Sequence, residues 1–271
     1  MNSYRLYCAD CVNWFQDNTQ RWDVIFADPP DNIGLKYKGY TDKLPDNEYI
    51  GLLRIWLNLF VKHSRCVWFS YNAKWWAQVG RIVTELEGNY GKNIEVKPCV
   101  QIFTFGQHNH NDLGNNHRPL IRIKWNDAPL YPNDIRVRSW RQKHGDKRAD
   151  PRGRVPGDVF RCDDKSEDDE LIMAISDDDV YDFTRVTGNS RQRRKWHKTQ
   201  LNEGLVTRCL RLNTAPGAYV LVPFGGTGTT MRVCKQINRA CTLIECSRTY
   251  CGHIAKEHEL PEICPGVWSN G

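Results

Sequence analysis

No stretch of this 271-residue chain approaches the roughly 18 uninterrupted apolar residues of a membrane span. Met1-Asn2-Ser3-Tyr4-Arg5 carries no apolar run of the kind that opens a signal peptide, so a cytosolic compartment is the default expectation. There is no internal repeat, which excludes an array of stacked modules. Cys8 and Cys11 form one CxxC, and no second pair at similar spacing exists to complete a zinc site. His108, His110 and His117 are separated by Asn and Gly and read as a polar loop, so no metal is expected. The glycine-rich segment near residue 226 has no GKS or GKT ending, which argues against a Walker nucleotide site. The 11 cysteines are an odd number scattered through a chain without an export signal, and they read as reduced, buried thiols.

The chain does have enough apolar (40%) and aromatic (11%) content to bury a sizeable core, which excludes disorder throughout. Its first hundred residues alternate short β-like runs with helical stretches, the rhythm of βα units in a parallel sheet. Strands are expected at Arg5 to Tyr7, Trp22 to Ala27 and Cys66 to Ser70, with one or two more in Glu95 to Phe105. Helices are expected over Asp46 to His63, where Ile50, Leu53, Trp56, Leu57 and Phe60 recur at helical spacing, and over Ala73 to Leu86. From Gly106 to Lys198 the periodicity fades and no βα unit can be drawn. The rhythm then resumes with a helix from Leu201 to Leu212, strand Tyr219 to Val222, helix Thr229 to Ile237, strand Cys241 to Glu245 and helix Ser247 to Glu257.

Charge is unevenly spread along the chain, and distribution decides which surface meets a polyanion. Arg136 to Arg161 carries nine Lys/Arg against three acids, Asp163 to Asp182 carries ten acids against one Lys, and Arg185 to Lys198 carries six bases and no acid. The basic blocks are interleaved with Trp140, Phe160 and Trp196, the composition of a surface that could follow a phosphate backbone. The acidic block between them is either a spacer or a mimic of nucleic acid covering the basic groove.

Two constellations carry chemistry. Val24-Ile25-Phe26-Ala27-Asp28-Pro29-Pro30-Asp31 is a strand delivering a carboxylate and two prolines to its carboxyl end, where open α/β sheets bind ligands. An aromatic amino nitrogen is a poor nucleophile because its lone pair is delocalised; Asp28 and a carbonyl fixed by proline could accept both its hydrogens. Tyr219 to Thr230 is a strand, a glycine-rich turn and a helix, which lets backbone approach a nucleoside closely and aims a helix N-terminus at it. Glu245 ends the next strand, where an acid can take both ribose hydroxyls.

Together the two constellations resemble the DNA amino-methyltransferases of the permuted, β-class arrangement, in which a DPPY-type catalytic motif precedes the target-recognition region and an FxGxG cofactor motif follows it. The resemblance runs through most of the chain. Tyr7-Cys8-Ala9-Asp10-Cys11 is similar to the family's GDC segment, Asp28 to Gly34 to DPPYNIG, Trp196-His197-Lys198-Thr199-Gln200 to HPTQ, and Phe224 to Thr229 to FxGxGT. It implies an α/β, Rossmann-like S-adenosylmethionine-dependent methyltransferase fold with a mostly parallel sheet and an inserted target-recognition region. Residues 1–105 would be the catalytic half, 106–196 the recognition insertion and 197–271 the cofactor-binding half.

Carried over by position, the resemblance implies that Asp28, Pro29 and Pro30, followed by Asp31, form the catalytic loop and the amino-group pocket. Asp10 and Cys11 would lie beside the cofactor adenine, Thr199 and Gln200 near its methionine end, Phe224, Gly226, Gly228 and Thr229 around methionine and ribose, and Glu245 on the ribose, with Asp28 also on the cofactor side. Arg136, Arg138, Arg141, Lys143, Arg191, Arg193, Arg194 and Lys195 would meet double-stranded DNA. Two positions depart from the family: Asp31 replaces the aromatic that stacks on a flipped base, and Val222 replaces the acid before Pro-Phe. Tyr37 and Tyr40 are the candidate replacements for the stacking face. The implied activity is methyl transfer to an exocyclic base nitrogen, adenine N6 ahead of cytosine N4, by a cytoplasmic, prokaryotic or phage-encoded protein of the restriction-modification kind. A homodimer is left open and no membrane partner is implied. The rivals are a catalytically silent DNA-binding decoy and an RNA or protein-glutamine methyltransferase.

Overall fold

The computed structural model describes residues 3–102, 110–160, 186 and 190–265. Nine strands form one sheet: β1 (Tyr4–Cys8), β2 (Trp22–Ala27), β3 (Ser64–Ser70), β4 (Ile94–Ile102), β5 (His117–Trp125), β6 (Val159–Phe160), β7 (Tyr219–Val222), β8 (Ala240–Glu245) and β9 (Cys264–Pro265). Their order across the sheet is β6-β4-β5-β3-β2-β7-β8-β1-β9, and β5 alone runs against its neighbours. The two halves of the sequence meet at β2 and β7, where Val24 pairs with Val220 and Ile25 with Leu221.

Both faces of the sheet are covered, and the side-chain period of two sorts the residues between them. Ile25, Ala27, Val67 and Phe69 face a layer made by α1 (Cys11–Asp17), α2 (Asp46–Lys62) and α3 (Trp76–Tyr90). Val24, Phe26, Cys66 and Trp68 face the opposite layer, made by α5 (Glu203–Asn213), α6 (Thr229–Gln236) and α7 (Arg248–His258). A short α4 spans Trp140–Lys143. The helix starts follow local chemistry. The Asp10 carboxylate accepts the Asn13 N–H at 3.0 Å to cap α1, the Asn202 side chain accepts the N–H groups of Gly204 and Leu205 to cap α5, and Ser247 caps α7.

The strands and helices expected of the two flanking regions are present with shifted ends. The expected helix from Ala73 opens as a 3-10 turn over Ala73–Trp75 and then runs on to Tyr90, stopped by Gly91 at φ 56°. The larger difference lies between 106 and 196, where β5 sits in the sheet between β3 and β4, and β6 pairs with β4. In β5 only Ile121 to Trp125 alternates as a strand should, while the adjacent His117 and Arg118 and then Pro119 break the run and obscure it. Tertiary pairing absorbs the strand's charges: Arg122 and Lys124 both reach Glu95 on β4, at 2.6 and 3.1 Å. The acidic block 163–182 and His108 lie outside the described residues. Among the described residues no helix is long and apolar enough to cross a membrane, and no group of three or more His, Cys, Asp or Glu could hold a metal ion.

The segment joining β2 to α2 is irregular yet closely held. Buried Asp42 accepts the backbone N–H of Asn32 at 2.7 Å, of Ile33 at 3.3 Å and of Leu35 at 2.9 Å. Asn32, in the left-handed region at φ 55°, donates to the Leu44 carbonyl and accepts the Leu44 N–H. The expected outcome of Asp42→Ala is a loss of about 2 kcal/mol of stability, because three N–H groups lose their acceptor. Urea unfolding at an unchanged midpoint would show that other contacts hold the segment.

Candidate active site

The carboxyl ends of β3, β2, β7, β8 and β1, five neighbours in the sheet, open into one cavity of about 970 Å3. Its walls include Asp28, Pro29, Pro30 and Asp31 from the end of β2, and Phe224, Gly225 and Gly226 from the end of β7. Asp10, Cys11, Thr199, Gln200, Thr229 and Glu245 line it as well. Gly228 belongs to the same turn as the N-cap of α6. The two constellations that lie nearly two hundred residues apart in sequence therefore share one space.

The Asp-Pro-Pro loop is anchored from three sides. The Tyr49 hydroxyl donates to the Pro30 carbonyl at 2.5 Å and the Trp75 indole N–H donates to the Asp31 carbonyl at 2.8 Å. No described residue donates to the Pro29 carbonyl. Arg118 reaches in from the start of β5: its Nη2 donates to Asp28 Oδ1 at 2.7 Å and to Asp31 Oδ1 at 3.0 Å, and its Nη1 donates to Asp31 Oδ2 at 2.9 Å. Its Nε donates to Ser70 Oγ at 2.6 Å. Burial alone would lower the Arg118 pKa, but the charges of Asp31 and Asp28 outweigh it and hold the guanidinium above its ordinary value. Asp31, the departure from the family's aromatic, is thus half of a charge-paired clamp.

On the opposite wall, the turn after β7 is shaped by contact. A Cβ on Gly225 would lie 2.4 Å from Leu243 Cδ2 and 3.0 Å from Glu245 Cβ, so only glycine fits. Gly226 and Gly228 take φ of 53° and 71°, the left-handed region where glycine alone is unstrained. Glu245 accepts the Gly226 N–H at 2.9 Å through Oε2 and the Ser247 N–H at 2.8 Å through Oε1, and its burial raises its pKa. Phe224 packs edge-on against Trp56 and Phe60, with ring centres 5.0 and 6.1 Å away. Thr229 shares a hydroxyl contact of 2.8 Å with Thr227. Val222 points into the core on the α5–α6–α7 side of the sheet and does not line the cavity.

Residues 197–202 form a third wall, braced from behind by the loop that precedes them. Gln200 spends its side chain on the loop itself, accepting the Arg194 N–H at 2.8 Å and donating to the Gln192 carbonyl. The His197 ring contacts the Thr199 backbone and lies 5.5 Å from the Tyr37 ring; burial lowers its pKa. Tyr37 and Tyr40, whose rings are 6.3 Å apart, both line the cavity and supply the aromatic surface that Asp31 does not.

The basic candidates differ in exposure and in the partners they hold. Arg138, Arg141, Arg191 and Lys195 are exposed, and Arg193 is partly buried. Arg194 is committed to Glu257 at 2.6 Å, in a network where Arg232 pairs with Glu257 and with Glu203. Arg136 donates to the Gly153 carbonyl at 2.6 Å and to the Asn133 side chain at 2.8 Å. Both therefore do structural work that a list of basic positions conceals. The side chain of Lys143 lies outside the described residues.

Sequence reasoning missed Arg118, Asp42, Gly225, Tyr49 and Trp75. Gly225 stood inside the recognised glycine run, and Tyr49 and Trp75 were visible only as residues of apolar helices. Arg118 and Asp42 carried no local signal, because each acts through partners that are distant in sequence or presented by a loop of irregular backbone.

Known proteins bear on this geometry. M.HpaI of Haemophilus parainfluenzae, a type II methyltransferase, is 24% identical over 257 residues, covering 93% of this chain and 73% of its own length. Across M.HpaI and the type II methyltransferases M.BamHI of Bacillus amyloliquefaciens and M.BglII of Bacillus subtilis, the chain spans between 52% and 73% of their length. Among solved structures, the cytosine-N4-specific PvuII DNA methyltransferase superposes with a TM-score of 0.61 at 10% identity, covering 97% of this chain and 90% of that one. The M1.HpyAVI-SAM complex superposes with a TM-score of 0.53 at 15% identity, covering 94% and 99%. The architecture is the S-adenosylmethionine-dependent methyltransferase fold with its mostly parallel sheet. The model of the N6/N4 DNA methylases matches residues 22–257, a span that contains Asp28, Arg118, the glycine turn and Glu245, and the chain belongs to that DNA methylase family.

Proposed function

We propose that this protein transfers a methyl group from S-adenosylmethionine to the exocyclic amino group of a base in double-stranded DNA, with adenine N6 as the target. The observation that carries this reading is the shared cavity: Asp28 faces the same space as the Gly225–Gly226 turn and Glu245. S-adenosylmethionine supplies an electrophilic methyl group when bound. Asp10, Cys11, Phe224, Gly225, Gly226, Gly228, Thr229 and Glu245, with Thr199 and Gln200, would hold it. The fit is supported by the turn at Gly225 and Gly226, which lines the cavity without side chains, and by a buried carboxylate on Glu245 beside it.

The transferring groups are few. Asp28 Oδ1 is held by Arg118 while Oδ2 has no described partner and stays available to accept a hydrogen of the target amine. The Pro29 carbonyl, also without a described donor, would accept the second, so that the nitrogen lone pair can turn toward the incoming methyl group. The base would be read out of the stack against Tyr37 and Tyr40. The catalytic half, recognition insertion and cofactor half of residues 1–105, 106–196 and 197–271 are proposed in the same sense, with β5 and β6 of the insertion built into the sheet. The same two acceptors would serve cytosine N4, a reading favoured by the likeness to the PvuII enzyme. Nucleoside mass spectrometry of DNA methylated by the purified protein separates N6-methyladenine from N4-methylcytosine.

Asp28→Ala is expected to reduce methyl transfer to duplex DNA by two or more orders of magnitude, about the effect of removing a preorganised acceptor, while calorimetric affinity for S-adenosylmethionine stays largely intact. Near wild-type turnover in a tritiated-methyl assay would sink the mechanism. Gly225→Ala is expected to weaken cofactor binding more than Gly226→Ala does: a Cβ at 225 would lie 2.4 Å from Leu243 Cδ2, whereas one at 226, though strained by its positive φ, meets nothing closer than His197 at 3.8 Å. Equal affinities for both variants would reassign the turn to a structural role. Neutralising Arg191, Arg193 and Lys195, leaving Arg194 to Glu257, is expected to lower DNA affinity and reduce the slope of log affinity against log salt by about 0.9 per lost contact. An unchanged affinity and slope would move the duplex to another surface.

A further inference from the structure

We propose that Arg118 is the positioning residue of the methyl-transfer site: anchored by Asp31, it holds Asp28 through one oxygen and leaves the other to the target amine. This rests on the reading of Asp28 as the acceptor. The guanidinium gives its fork to Asp31, one bond to each carboxylate oxygen, and a single bond to Asp28. Had the fork gone to Asp28, each of its oxygens would already spend a lone pair on the guanidinium, leaving less acceptor strength for a substrate hydrogen. Asp31 therefore sets how Arg118 engages Asp28, which an aromatic at position 31 could not do.

The direction of β5 makes this reach available. Ser70 at the carboxyl end of β3 pairs with Leu120 near the start of antiparallel β5, so Arg118 falls at the cavity edge of the sheet, with Nε tied to Ser70 Oγ. A parallel strand would deliver its first residues to the opposite edge.

The clamp also has an electrostatic task. Asp28 and Asp31 both contact the same Nη2, so their nearest oxygens are within two hydrogen-bond lengths of each other. Among the described residues Arg118 is the cation in contact with either. Tyr37, Tyr49 and His197 interact electrostatically with one or both of these carboxylates, and Lys74, His117 and Lys198 line the same cavity; burial favours the neutral forms of both phenols and of the imidazole. Removing Arg118 would leave two carboxylates side by side, and one would take up a proton at higher pH than before. A protonated Asp28 cannot accept the amine hydrogens, so loss of the cation reads out as an upward move of the acidic limb of the pH–rate profile.

The experiment uses the full chain and compares wild type, Arg118→Met, Arg118→Lys and the double variant Arg118→Met/Asp31→Asn in methyl transfer to duplex DNA across pH, with calorimetric binding of S-adenosylmethionine alongside. Arg118→Met is expected to lower kcat about a hundredfold and move the acidic limb upward, with cofactor affinity within roughly twofold of wild type. The double variant, which removes the second carboxylate, is expected to return the limb toward wild type while kcat stays low. Should Arg118→Met fail to fold, Arg118→Lys decides, keeping the charge without the fork: a lowered kcat with the limb in place supports the clamp. Wild-type kcat in the variant that folds, or an acidic limb that does not move in Arg118→Met, overturns it. Failure of the function reading is distinct, because the wild-type protein itself would then transfer no methyl group to DNA.

Discussion

The ion pairs that join Arg118 to Asp28 and Asp31 are the contacts on which the rest of the site depends. They tie the loop after β2 to β5, and through Ser70 to β3, so that a carboxylate carried by an irregular Asp-Pro-Pro segment has a fixed position relative to the sheet. Tyr49 and Trp75 complete the hold by taking the Pro30 and Asp31 carbonyls. With those two carbonyls used, Asp28 Oδ2 and the Pro29 carbonyl are acceptors of the loop that have no described donor. A site that must act on a weakly nucleophilic amine gains from such economy, because acceptors already in place need no reorganisation when the substrate arrives.

Most of the scaffold was legible in the sequence, for a reason that also marks where the reading stopped. β2 and β7 are short, mostly apolar runs that stop at Asp28-Pro29-Pro30 and at Pro223, and they are found where the composition puts them. Buried parallel strands announce themselves in this way because both of their faces are apolar. β5 does not, since its charges are neutralised by partners from elsewhere: Arg118 by the β2 loop, Arg122 and Lys124 by Glu95. A charge that is paired across strands cannot be told from a solvated one in a single sequence. The same limit hid Asp42, whose three acceptor contacts are to backbone N–H groups of a loop with no periodicity.

The two departures from the family pattern have different physical meanings. Val222 joins the core with Val220 and Leu243, an exchange of a polar end of strand for apolar packing on the side away from the cavity. Asp31 is part of a compensated pair: it brings a negative charge next to another carboxylate, and Arg118 meets both. A substitution that looks disabling in isolation becomes consistent with a working site once its partner is included. Arg194 is the converse case, a residue that reads as a free basic contact and is committed to Glu257.

The seam between β2 and β7 joins segments that stand nearly two hundred positions apart, and the cavity straddles it. Closing so long a loop carries an entropic cost that the contacts across the seam must offset. A small molecule that touches the walls on both sides binds only the closed seam, and by mass action it acts as a reversible staple between the two halves of the chain. The concentration of such a ligand then governs resistance to unfolding and proteolysis as well as turnover, and two fragments cut in the intervening segment would have their reassembly driven by the molecule they hold between them.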